Sequence, residues 1–183
     1  TFDHVLDVRA GQRDVYYNAG VADLVQKCLD GFNATILAYG QTGSGKTHTI
    51  MGPNPVILAV AAPDDVASER DDNEAGVIPR ALADLFTSLA ERQFVARQRG
   101  DDLDFQVSVQ FLELYGEEIR DLLTVHRDNK LTIRDLGTDE PEVVGASQST
   151  VSNSADALRC LSHGMLRRVT GATAMNESSS RSH

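Results

Sequence analysis

The spacing of apolar residues changes period several times along this chain, and each change marks a new element. From Asp14 the period is helical: Val15, Val21, Leu24, Val25, Cys28 and Leu29 fall on one stripe, and Asp30-Gly31 supplies the stop. Before it, Phe2 to Val8 carries only a weak strand-and-turn signal. Asn33 to Tyr39 is short and mostly apolar, the pattern of a strand buried in a parallel sheet. A helix starting at Lys46 is cut short by Gly52-Pro53-Asn54-Pro55. Beyond that break, 53–75 reads as a long surface insertion with an apolar start and an acidic remainder.

Pro79 suits the first turn of another helix, in which Leu82, Leu85, Phe86 and Leu89 recur at helical spacing as far as Arg97. Phe105 to Phe111 alternates strictly, and a period of two predicts a strand that ends near Tyr115-Gly116. Glu117 to Leu123 reads as a short helical turn, and Leu131–Ile133 with Glu142–Val144 as a hairpin around Gly137. Ser152-Asn153-Ser154 offers capping side chains to a last helix, whose Leu158, Leu161, Met165 and Val169 share a core face. The alternation of helices and strands predicts an α/β fold with a central, mainly parallel sheet flanked by helices.

Composition narrows the function. With 183 residues and 41% hydrophobic content the chain can bury a continuous core. A net charge of −10 argues against a nucleic-acid surface, which needs clustered Lys and Arg. The longest apolar run, Val56 to Ala62, is far short of a membrane span, so no membrane partner is expected. Cys28 and Cys160 lack the spacing and neighbouring histidines of a metal or redox pair and read as buried, reduced thiols.

The chemistry is concentrated in Gly40-Gln41-Thr42-Gly43-Ser44-Gly45-Lys46-Thr47, a full match to the phosphate-binding pattern G-x-x-x-x-G-K-[ST] between a predicted strand and a predicted helix. The glycines let successive backbone N–H groups turn toward phosphate oxygens, and the helix that follows adds its positive end. Lys46 would reach the β- and γ-phosphates, and Thr47 would offer its hydroxyl to a bridging Mg²⁺. A glycine-rich turn with a chance lysine is the plainer alternative. The loop alone does not separate a kinase, a GTPase, an ATPase and a motor. The hydroxyl-rich run Thr170 to His183, with one arginine, is either a linker or a phosphate-sensing switch.

The loop, taken with Asn176-Glu177-Ser178-Ser179-Ser180-Arg181-Ser182-His183, closely resembles the kinesin motor domain. Gly76-Val77-Ile78-Pro79-Arg80, Phe111 to Tyr115 and Glu118 to Leu123 fall where kinesins carry similar segments, so the resemblance covers nearly the whole chain. It implies a P-loop NTPase that binds ATP and Mg²⁺ and works at microtubules, in the cytoplasm and on the cytoskeleton, dimerising through a stalk outside these residues. In that family's terms Gly40, Gln41, Thr42, Gly43, Ser44, Gly45 and Lys46 would hold the phosphates, and Thr47 and Ser180 would sit on Mg²⁺. Ser179 would position the attacking water, Asn176 would contact the γ-phosphate, and Arg181 would pair with a glutamate of the second switch loop. His48 would pack against adenine; an ordinary surface histidine is the alternative.

The chain opens on Thr1-Phe2-Asp3 and stops in a polar run, so residues 1–183 are expected to be a partial motor domain. It would lack the family's opening strand and everything after the first switch, including the second switch and most of the filament-binding surface. On that expectation these residues alone would not turn over ATP at a motor's rate. Two departures stand out: Gly116 replaces the family's asparagine and is expected to loosen the strand end, and the turn from Asp135 to Glu142 is acidic where kinesins touch the filament. Arg167 to Asn176 and Val143-Val144-Gly145 look most like the fourth kinesin family, which includes chromokinesins. The rival readings are a non-motile kinesin-like scaffold with little turnover and an unrelated P-loop enzyme such as a small kinase.

Overall fold

The computed structural model describes residues 1–53, 74–124, 131–134, 137 and 142–174, with side chains as far as 168. Its elements, in chain order, are α1 (Gln12–Asn18), α2 (Val21–Leu29), α3 (Lys46–Met51), α4 (Val77–Gln98), β1 (Val107–Val109), β2 (Leu112–Tyr115), β3 (Glu118–Asp121), β4 (Thr132–Arg134), β5 (Glu142–Val144), β6 (Ser149–Val151) and α5 (Ser154–Ala174). They form two compact units, Thr1–Phe105 with Asn153–Ala155, and Gln106–Ser152 with the chain from Asp156 onward.

The first unit is helical. One helical stripe was expected from Asp14 onward, but the chain forms two helices, because Gly20 takes φ +75°, a left-handed conformation that stops α1 and starts α2 in a new direction. Tyr16, Val21 and Val77 form its core, with Val15, Ala22, Ile50 and Ala81 packed around them. The 22-residue α4 is the spine, packing against α1, α2 and α3. Its polar side chains fix that packing. Arg92 donates to the Leu29 carbonyl at 2.7 Å and to the Asp30 carboxylate at 2.7 Å, so a cation caps the negative end of α2. Tyr16 donates to Asp84 at 2.7 Å and Gln26 to Ser88 at 2.9 Å.

Two expectations fail in this unit. Residues 33–39 make no ladder bond among the described residues and are not a strand there. An apolar run becomes a strand only where neighbours take its N–H and C=O groups, and without them Ile36, Leu37 and Tyr39 stay 44%, 83% and 94% exposed. Cys28 is exposed rather than buried, since the buried stripe of α2 runs through Val21 and Val25. The early stop of α3 is as expected, at Gly52 with φ +95°. Of the insertion, residues 54–73 lie outside the described residues.

The second unit holds three antiparallel strand pairs and α5. β1 pairs with β6 in the register Val107↔Val151 to Val109↔Ser149. β2 and β3 form a tight hairpin with Tyr115↔Glu118 across a two-residue turn, so Glu118 to Asp121 is a strand and not the expected helical turn. Ladder bonds to β2 outweigh a local helical preference there, and Arg120 lies over the Tyr115 ring at 4.5 Å. Gly116 does not loosen this hairpin: it occupies the turn with φ +62°, the conformation that glycine and asparagine both supply. β4 and β5 form the expected hairpin, Thr132↔Val144 to Arg134↔Glu142.

In α5, Ala157, Leu161, Ser162 and Met165 are buried, so the expected core face holds at Leu161 and Met165, whereas Leu158 is only half-buried; the Val169 side chain lies outside the described residues. Gly164 lets this helix close on the Phe111 ring and the Leu122 side chain, since a Cβ there would collide with the ring. Arg167 donates to the Leu122 carbonyl at 2.8 Å, and Arg168 to the Glu113 carboxylate at 3.2 Å. Among the described residues no helix is long and apolar enough to cross a membrane.

Candidate functional site

The glycines of 40–47 do what their spacing requires. Gly40, Gly43 and Gly45 take φ +152°, +81° and +94°, values that side-chain-bearing residues rarely adopt, and the loop between them stays exposed. Gly40 is fixed twice over, because a Cβ there would also lie 2.6 Å from Ser44 Oγ. Within the loop the Ser44 N–H donates to the Gln41 carbonyl at 3.2 Å. Gly45 then hands the chain to α3, its carbonyl accepting the first helical bond from the Thr49 N–H at 2.8 Å.

Lys46 is the first residue of α3, yet its side chain turns back over the loop. Its Nζ donates to the carbonyls of Gly40 at 2.7 Å and Gln41 at 2.8 Å. The ammonium is thereby held across the loop mouth, where a phosphate chain cradled by the backbone would meet it. Thr47 and His48 follow on the first turn of α3 with exposed side chains. The structure thus brings together Gly40, Gln41, Thr42, Gly43, Ser44, Gly45, Lys46, Thr47 and His48. Asn176, Ser179, Ser180 and Arg181 lie outside the described residues.

No group of three or more His, Cys, Asp or Glu that could hold a metal ion occurs among the described residues. A lone hydroxyl at Thr47 still fits Mg²⁺ in a nucleotide site, because that ion is held by one or two protein oxygens together with substrate phosphates and water.

One residue escaped sequence reasoning. Gln12, at the start of α1 and 8% exposed, places its Nε2 2.6 Å from the His48 carbonyl and 2.9 Å from His48 Nδ1. The two residues are 36 apart, and nothing in the local pattern around Gln12 announces the contact.

The kinesin motor domain family model matches residues 1–183. The chain is 39% identical over 191 residues to the human kinesin-like protein KIF21B, and 37% identical over 185 residues to the chromosome-associated kinesin KIF4 of Xenopus laevis. Each match covers 100% of this chain but only 11% and 14% of those proteins. Identities so close do not single out a branch of the family. A solved structure of a fast kinesin superimposes with a TM-score of 0.78 at 32% identity. That match covers 100% of this chain and 45% of the solved one. A glycine loop with its lysine folded across it, in a chain matched from end to end by that family's model, leads to one assignment: the protein belongs to the kinesin motor domain family and has its P-loop NTPase fold.

Proposed function

We propose that this chain is part of the motor head of an ATP-dependent microtubule motor, in which ATP hydrolysis drives movement along, or remodelling of, microtubules. The observation that carries the reading is the Lys46 ammonium held over the loop by the Gly40 and Gln41 carbonyls. An incoming triphosphate would exchange those neutral carbonyls for anionic oxygens, a stronger class of hydrogen bond for the same cation.

In this reading the backbone from Gly40 to Gly45 and the Lys46 side chain bind the β- and γ-phosphates. Thr47 and Ser180 would hold Mg²⁺, which would supply charge neutralisation to the phosphates. Asn176 would contact the γ-phosphate, Ser179 would orient the attacking water, and Arg181 would close the site by pairing with a glutamate of the second switch loop. His48 lies along the adenine. The protein's contribution is positioning and charge stabilisation, with no covalent intermediate on the enzyme. By the family resemblance, the 176–181 segment would sense the γ-phosphate and pass the nucleotide state to the rest of the head. The remaining terms of the reading are a microtubule partner, dimerisation through a stalk and a cytoskeletal location in the cytoplasm.

The test is a gliding assay with the intact protein attached to a surface. ATP-dependent filament movement is expected. Filaments that bind but neither move nor shorten with ATP would favour a non-motile scaffold instead.

A further inference from the structure

The contact between Gln12 and His48 determines which ring nitrogen of His48 carries the proton. The His48 carbonyl can only accept, and it already takes the Gly52 N–H at 2.8 Å. The group that faces it at 2.6 Å must therefore be the NH₂ end of the Gln12 amide and not its oxygen. Nε2 of Gln12 has a second N–H, and His48 Nδ1 lies 2.9 Å away. With a donor on that side Nδ1 presents its lone pair, so the proton sits on Nε2 of His48. Because Gln12 is buried and anchored at the start of α1 while the His48 ring is exposed, the amide acts as a fixed post and the ring as what it holds.

We propose that Gln12 is a positioning residue of the nucleotide site: it locks the His48 ring in one orientation and in the Nε2–H tautomer, so that a flat face and a single outward donor meet the base of a nucleoside triphosphate. The proposal rests on the reading that His48 lies along the base. Gln12 itself touches neither phosphates nor base. Its contribution is to spare binding the cost of immobilising a free ring, and ordering one side chain corresponds to about three- to tenfold in affinity.

The test uses the intact protein and two ligands, ATP and inorganic tripolyphosphate, which has the phosphate chain without the base. Gln12→Met keeps the length of the side chain and removes its donors. It should weaken ATP about three- to tenfold and leave tripolyphosphate unchanged, and that unchanged affinity also shows that the loop is still folded. In a His48→Ala background, Gln12→Met should have no further effect on ATP. In ¹⁵N-histidine spectra, His48 should show the Nε2–H tautomer in the parent and lose that bias in Gln12→Met. Equal loss of both ligands, additive effects of the two substitutions, or the opposite tautomer would overturn the proposal. Failure of the parent to bind ATP while the tautomer is as stated would instead overturn the nucleotide reading on which the role depends.

Discussion

Gly76 lies flat against the backbone of Gly52: a Cβ on Gly76 would fall 2.5 Å from the Gly52 nitrogen, 2.6 Å from the Met51 carbonyl carbon and 2.7 Å from that of Ile50. The start of α4 is thus seated directly on the end of α3, the helix that begins with Lys46. Gly76 has φ −74°, which any residue can adopt, so the constraint is contact alone. Gly76→Ala should cost about 2 to 3 kcal/mol, the upper range for overpacking, because backbone cannot step aside as a side chain can. Gly20→Ala is the control. It has open space but φ +75°, and should cost only the left-handed strain of about 1 to 2 kcal/mol. Chemical denaturation of the two variants checks the order.

Tyr16 gives the core a pH signature. Burial first, and then the hydrogen bond and negative charge of Asp84, push its hydroxyl well above the ordinary value of 10.0. The folded protein therefore holds this proton more tightly than the unfolded chain does. The contribution is fully present below pH 10 and is lost as pH rises past it, by at most about 1.4 kcal/mol per pH unit. The stability gap between the parent and Tyr16→Phe should be flat from about pH 7 to 9 and should narrow above 10. Urea melts across that range measure it.

In the second unit Arg168 and Glu113 join α5 to the β2–β3 hairpin, with side-chain exposures of 29% and 8%. Removing one partner takes a charge-assisted bond from a carboxylate that is almost wholly out of water. Arg168→Ala should cost about 3 kcal/mol, while the paired change Glu113→Leu with Arg168→Met should cost less than that single truncation. A double-mutant cycle by thermal unfolding decides between them.

What could be read from the sequence was local. The phosphate loop, the short α3, the β4–β5 hairpin around Gly137 and the buried face of α5 each follow from residues a few positions apart. What escaped depends on partners distant in the chain. Glu118 to Asp121 is a strand because β2 is beside it, and 33–39 lacks a strand's bonds because no described neighbour supplies them. The break between α1 and α2 was visible as Gly20, but a glycine inside an apolar stripe does not announce a left-handed φ. The loop was legible at the site because its pattern is contiguous; Gln12, 36 residues from His48, was not.

In the proposed reading, Lys46 anchors a nucleotide whose hydrolysis microtubules stimulate. The most direct measurement is the ATPase rate of the intact protein with and without microtubules, beside Lys46→Ala. Stimulation is expected in the parent and its loss in the variant, with a drop in rate on the order of 100-fold or more for removal of a cation aimed at developing phosphate charge. A parent rate that microtubules leave unchanged, or a Lys46→Ala variant that hydrolyses ATP as fast as the parent, would contradict it.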